Sequence, residues 1–247
     1  GRDMASLHFE PRFLFLSADP ALARAQLVGE HVTLARALPL RDDISTDEII
    51  PLPAMVHFDA TLGRFPYTGC ETGGERPIGR DAVRRLSVCV VVAGKRYGKG
   101  SSREHSVVAE RAAGVRLVIA ESFERIYRQN ADNVGLCTST DVGLIDRIAR
   151  GEAIDVDELA QGRDAVAAAI LRAGGLLRYG RTMPAADETA RDVDVTASSR
   201  PRTLFEKIVE RHLDGPVQPG EGVFIRADWR FIHEYYTGMA AHLLDEA

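Results

Sequence analysis

Gly94-Lys-Arg-Tyr-Gly98-Lys-Gly100-Ser101-Ser102-Arg103-Glu104-His105-Ser106 decides how the rest of the sequence is read. The run 88–93, Val-Cys-Val-Val-Val-Ala, enters it and a helical pattern leaves it. A short, β-branched run closed by glycine reads as a buried strand. Gly94, Gly98 and Gly100 permit a sharp turn and a close approach of backbone to ligand. Ser101 and Glu104 stand at the S-x-x-E spacing of a capping box, which predicts a helix start here, with Ser102 as the alternative cap. The first N–H groups of such a helix have no partner inside it and lie at the positive end of its dipole. Lys95, Arg96, Lys99, Arg103 and His105 crowd the same residues of a chain whose net charge is -5. Oriented donors, cations and a thin backbone point to an anion site. A solvated basic loop is the competing reading.

The phosphate-loop pattern G-x-x-x-x-G-K-[ST] is not met: the spacer from Gly94 to Gly98 is one residue short, and Lys99 is followed by Gly100 rather than a hydroxyl. The dinucleotide pattern G-x-G-x-x-G is absent as well. Carboxylates are therefore at least as good a ligand class as phosphates.

Tyr97-Gly-Lys-Gly-Ser-Ser-Arg-Glu-His105 resembles the signature of the swivelling domain of aconitase-type hydro-lyases. That family includes aconitase, homoaconitase and the small subunit of 3-isopropylmalate dehydratase. The resemblance continues through Ile119-Ala-Glu-Ser-Phe123, Arg125-Ile-Tyr-Arg128, Asn130 and Gly135-Leu136. It reaches back to Arg41-Asp-Asp-Ile-Ser-Thr-Asp47-Glu-Ile-Ile-Pro51, which is similar to an early D-x-x-T-D-x-I-x-P segment. It implies an α/β fold, a swivel-like layered sheet with packed helices.

The resemblance also implies roles. Ser101 corresponds to a general base working as a deprotonated hydroxyl. Ser102 and Arg103 correspond to ligands of the substrate carboxylates, with Asp47 and His105 standing behind them. The family moves a hydroxyl between adjacent carbons of a hydroxy di- or tricarboxylic acid through a cis-alkene. It uses a [4Fe–4S] cluster bound by three cysteines of a large part. Cys70, Cys89 and Cys137 match no such motif, so no metal is expected on this chain, and the partner is a cluster-bearing large subunit or domain. The substrate class is a small hydroxy-carboxylate, with the leucine-pathway enzyme as the best match. Aconitase, homoaconitase or a methylcitrate-type member from a fused or truncated parent is the alternative. A non-catalytic regulatory or anion-binding module is the alternative of another class.

Outside the motif, 247 residues with 45% hydrophobic content suffice for one sizeable core plus an appendage. The acidic balance argues against non-specific nucleic-acid or membrane binding. No run approaches a membrane span, and no basic-then-apolar leader opens the sequence, so a cytoplasmic location is expected. Three widely spaced cysteines form neither a disulfide framework nor a C-x-x-C site; Cys89 reads as core and Cys70, among glycines, as a candidate for exposure.

Residues 13–16 read as a strand and Asp19-Pro20 as a helix start. Residues 55–80, rich in glycine and aromatics, read as a long loop or irregular hairpin. Within it, Arg64 either meets a substrate carboxylate or is an ordinary exposed loop residue. After the motif, a helix to Gly114, a strand over 115–120 and a helix from Ser122 to Gly135 predict a largely parallel sheet. Residues 163–173 read as a helix stopped by Gly174-Gly175, and 176–179 as a final strand.

Three parts follow: a swivel-type domain over 1–182, a polar linker over 183–202, and an appendage over 203–247 that is a small α/β unit. Thr203-Leu-Phe-Glu206 is a second capping box, Val223-Phe-Ile225 reads as a strand, and Gly238–Glu246 as an apolar helix. The stretch Thr203–His212 with Asp228–Thr237 resembles the opening of the large subunit of 3-isopropylmalate dehydratase. On that match His233 faces substrate; packing beside Tyr235 and Tyr236 is the equally weighted reading.

Overall fold

The computed structural model describes residues 6–101, 103–183, 201–213, 220, 223 and 225–246. Its strands are β1 (Ser6–Leu7), β2 (Phe13–Phe15), β3 (Val90–Ala93), β4 (Leu117–Ala120), β5 (Cys137–Ser139) and β6 (Ile154–Asp155). The helices before the central motif are α1 (Pro20–Leu27), α2 (Leu34–Ala37), α3 (Thr46–Ile49) and α4 (Ala82–Arg85). After it come α5 (Glu104–Ala112), α6 (Arg125–Val134), α7 (Leu144–Ala149), α8 (Val156–Leu159), α9 (Ala165–Ala173) and α10 (Leu176–Thr182). The tail contributes α11 (Leu204–Glu210) and α12 (Glu234–Glu246).

Strands β2, β3, β4 and β5 form one parallel sheet in that order, with Phe15 opposite Val92 and Val92 opposite Ile119. β1 and β6 make a separate antiparallel pair. Every residue of β3 and β4 is buried, as expected for parallel strands covered on both faces. Alternation assigns the faces. Val91, Ala93, Val118 and Ala120 pack with Val107 and Val108 of α5 and Tyr127 and Ala131 of α6. Val90, Val92, Leu117 and Ile119 pack with Leu144, Ile145 and Ile148 of α7 and Leu171 of α9. The expected α/β layering is therefore present, and the turn between β3 and α5 falls at the C-terminal end of a central strand.

Some local expectations need correction. Residues 176–179 are not a strand but the start of α10. Gly174 and Gly175, at φ +79° and +125°, swing the chain out of α9 and restart a helix that packs on α6 and α9. The cap of α6 is Glu124, not Ser122, whose hydroxyl instead accepts from the Arg96 N–H at 2.8 Å. Residues 52–56 and 60–64 form two 3₁₀ turns inside the long irregular segment. An Arg163–Asp132 pair, both side chains less than a tenth exposed, ties α6 to the approach to α9 at 2.7 and 2.9 Å, and Arg163 also donates to Thr138 of β5.

The tail helix α11 opens on the expected Thr203–Glu206 capping box. α12 returns to the body: Met239 is buried, Gly238 lies against the Phe58 ring, and Glu246 stands 3.5 Å from Arg111. The expected linker lies mostly outside the described residues, as does Phe224 of the expected strand over 223–225; no strand is formed by the described residues of the tail.

Candidate carboxylate-binding site

Two chain segments meet to build the site. Residues 41–47 run alongside the glycine loop: Gly94 N–H donates to Arg41 C=O (2.9 Å), Asp43 N–H to Lys95 C=O (2.8 Å), Gly98 N–H to Ile44 C=O (2.8 Å) and Thr46 N–H to Lys99 C=O (2.8 Å). The two stretches singled out in the sequence are thus one structural unit. Two of the glycines serve this union. A Cβ on Gly94 would stand 2.2 Å from the Asp42 carboxylate, and one on Gly98 2.2 Å from the Tyr127 ring. At Gly100, φ +102°, a Cβ would only touch the Thr46 hydroxyl at 3.6 Å, and that buried hydroxyl has no hydrogen-bond partner among the described residues.

The capping box expected at Ser101 and Glu104 is not formed. The α5 cap is Arg103, which places Glu104 at the first helical position, too early to reach back across a turn. Arg103 N–H closes a tight turn onto Ser101 C=O (2.8 Å), and the Ser106 hydroxyl donates to Arg103 C=O (2.8 Å). Among the described residues no side chain caps α5, and the positive end of its dipole lies beside Ser101. A true box occurs instead at Ser45 and Glu48, opening α3 next to Asp47. Ser45→Ala is expected to lower unfolding free energy by about 1 kcal/mol and Ser45→Gly by only a few tenths, read from urea midpoints. Equal effects of the two substitutions would argue against capping as the cause.

The basic crowd is sorted by its partners. Arg96 forks onto Asp43 at 2.5 and 2.6 Å and holds that carboxyl below its ordinary range. Lys99 also stands 3.7 Å from Asp43, and Lys95 3.9 Å from Glu121. Arg103 pairs with Asp47; the Arg103 side chain is 17% exposed and that of Asp47 58%. The outer cations are therefore largely balanced at the surface. The positive end of α5 and the sheltered Arg103 guanidinium, oriented by Asp47, set the local field at Ser101.

The sequence-predicted residues divide accordingly. Ser101 is exposed at the tip of the loop, with Arg103 and Asp47 joined beside it. Ser102 lies outside the described residues. His105 is fully buried and packs on Phe58 with ring centroids 5.5 Å apart; burial first, and Arg103 second, hold its pKa down, so it is a neutral core imidazole and not part of the basic crowd. Arg64 is not brought to this group: its fork closes on Asp81 at 3.0 to 3.2 Å. His233 is exposed just before α12.

Sequence reasoning missed a buried carboxylate. Glu110, on the inner face of α5, has no exposed surface and accepts from Tyr67 (2.7 Å), Tyr127 (2.6 Å) and Tyr97, while Tyr97 and Tyr67 stand 3.0 Å apart through their hydroxyls. Its place in the apolar rhythm of Val107, Val108 and Ala113 is the signal that could have found it. Burial pushes its carboxyl up to about 7, against the three hydroxyls, which pull it down. A raised folded pKa means that the folded state holds a proton the unfolded state has released. Stability is then fully present below the ordinary 4.5 and declines until pH passes about 7. Glu110→Gln is expected to flatten that decline in pH-dependent urea titrations; an unchanged slope would rule Glu110 out as its source.

All three cysteines are free and buried, Cys70 included, which corrects its expected exposure. Burial pushes Cys70 up, and Cys137 up to about 12. Among the described residues no group of three or more His, Cys, Asp or Glu side chains is placed to hold a metal ion. No helix among the described residues is long and apolar enough to cross a membrane. A cavity of about 520 Å³ lies between α5, α10 and α12, but Ser101 and Arg103 do not line it; among the described residues of the motif, Glu104 alone does.

The model of the aconitase C-terminal domain matches residues 80–140. The 3-isopropylmalate dehydratase small subunit of Pyrobaculum calidifontis is 36% identical over 159 residues, covering 58% of this chain and 94% of that protein. The chain belongs to the family of 3-isopropylmalate dehydratase small subunits. A second family member, the small subunit of Desulfovibrio desulfuricans, is 35% identical over 171 residues, covering 63% of this chain and 92% of its own. A crystal structure of 3-isopropylmalate dehydratase from Methanocaldococcus jannaschii is 28% identical, covers 57% of this chain and 87% of its own, and aligns with a TM-score of 0.41. The family match to residues 80–140 spans β3, the motif, α5, β4, α6 and β5.

Proposed function

We propose that this chain is the substrate-closing half of an aconitase-type hydro-lyase, isomerising a hydroxy dicarboxylic acid of the 3-isopropylmalate kind in leucine biosynthesis by dehydration and rehydration. The observation that carries this reading is an exposed Ser101 set between the start of α5 and an Arg103 guanidinium held by Asp47. In this reading Arg103, with Ser102, grips a substrate carboxylate, and Asp47 orients the fork. Ser101 Oγ, as alkoxide, takes the proton from the carbon beside that carboxylate. The charge that develops is met by Arg103 and the positive end of the α5 dipole. Arg64 stays outside the set because its fork is closed on Asp81.

Departure of the hydroxyl requires a Lewis acid, and the [4Fe–4S] cluster that supplies one would belong to a large partner subunit. The swivel-type unit over 1–182 would present the loop to that partner. The segment over 203–247 would act as a separate element joined through 183–202, with His233 as a further substrate contact.

The test is to mix this chain with candidate cluster-bearing large subunits and follow the alkene absorbance with 3-isopropylmalate and with citrate. Alkene should form only when both components are present, and faster from 3-isopropylmalate. Thermal stabilisation of this chain by nucleotides but not by hydroxy-diacids would contradict the proposal.

A further inference from the structure

We propose that Glu110 is a positioning residue of this reaction, gathering the hydroxyls of Tyr67, Tyr97 and Tyr127 so that the loop carrying Ser101 is held at one height above β3 and α6. The proposal rests on the hydro-lyase reading of Ser101 and deepens it. Each tyrosine anchors a different element. Tyr97 lies within the motif loop, where its N–H donates to Ser122 C=O (3.0 Å) and its C=O accepts from Glu124 N–H (2.9 Å). Tyr127 stands on α6, stacked on Phe123 at 6.1 Å, with its ring filling the space beneath Gly98. Tyr67 sits in the irregular segment, at φ +66°, and its N–H donates to Ile49 C=O (2.8 Å) at the end of α3. One carboxylate, fully inside the core, thereby joins the motif loop, the helix beneath it and the segment that follows α3 and Asp47.

The geometry gives the network a direct line to the reacting group. The loop rests on the Tyr127 ring at Gly98, three residues before Ser101, and Tyr97 precedes Gly98. With two glycines, Gly98 and Gly100, in the four residues 98–101, the loop has little stiffness of its own. Its height is set by what lies under it. Once ionised, the carboxylate accepts all three phenols at once; a carboxamide of the same size accepts fewer and must place two N–H donors in a dry core at every pH. Glu110 touches no substrate in this arrangement. It acts through Tyr97 and Tyr127.

The test compares Glu110→Gln and the milder Tyr97→Phe with the unaltered chain in two measurements. The first is amide hydrogen exchange of the chain. Exchange across residues 97–101 should be several-fold faster in both variants, with β3 and β4 unchanged. The second is steady-state kinetics of the chain reconstituted with its large subunit. There kcat should fall about tenfold for Glu110→Gln and less for Tyr97→Phe, with KM within about twofold, because a displaced base costs rate and not binding. Unaltered exchange in the loop overturns the proposal, as does faster exchange with kcat unchanged, or exchange that rises equally throughout the sheet. Absence of hydro-lyase activity in the unaltered chain with every large subunit would sink the functional reading instead, and the exchange result tells the two failures apart.

Discussion

Ser101→Ala, in the enzyme reconstituted with its large subunit, is expected to lower kcat by about a thousandfold while KM stays within about threefold. The substitution removes the only atom assigned to take the proton and little else. Ser101 is exposed, and its participation in the fold is through its carbonyl, which alanine keeps. Folding and partner binding should survive. The expected split follows from the proposed roles: Arg103 and Ser102 would bind the carboxylate in the ground state, and Ser101 would act in the transition state. Thermal melting of the variant within about 2 °C of the parent would exclude a folding defect. A kcat within tenfold of the parent would remove Ser101 from the chemistry.

Arg103→Lys should lower kcat/KM by about a hundredfold, chiefly through KM. Lysine keeps the charge but replaces a planar fork by a point charge, so it cannot face Asp47 and a substrate carboxylate with two fixed edges. Charge-assisted pairs of this kind are worth roughly 1.5–3 kcal/mol each, which is the basis of the expected size. Asp47→Asn tests the same geometry from the other side and should give a smaller rise in KM in the same direction. An Arg103→Lys enzyme with unchanged KM would mean that the guanidinium serves the fold through Asp47 and not the substrate.

Much of this architecture was legible because the signals were local. Val88–Ala93 and Val115–Ala120 announced two buried parallel strands, and Gly114, Gly135 and Gly174 closed helices where expected, at φ +103°, +78° and +79°. The motif likewise placed Ser101 and Arg103 after a strand and before a helix. The failures were of two kinds. The first came from reading one spacing as decisive. S-x-x-E occurs at both Ser45 and Ser101, and only the first forms a box, because the turn closed by Arg103 N–H on Ser101 C=O delays α5. Leu176–Tyr179 looked like a strand by composition, but two glycines with positive φ allowed a second helix to restart at once.

The second kind was non-local. Glu110, Tyr67, Tyr97 and Tyr127 are scattered over 61 residues of sequence, and their meeting depends on the packing of α5 between the sheet and the irregular segment. The balancing of Lys95, Arg96 and Lys99 by Glu121 and Asp43 is of the same sort. A count of charges along the loop reads as a strongly basic patch. The folded chain leaves Arg103, paired with Asp47, and the start of α5 beside Ser101.

The most direct measurement is a crystal structure of this chain assembled with a cluster-bearing large subunit and a bound hydroxy-diacid. The account predicts one substrate carboxylate on the Arg103 fork, with Ser101 Oγ within about 3.5 Å of the carbon that loses its proton. A substrate bound entirely by the large subunit, with the loop 94–103 turned away from it, would contradict the account.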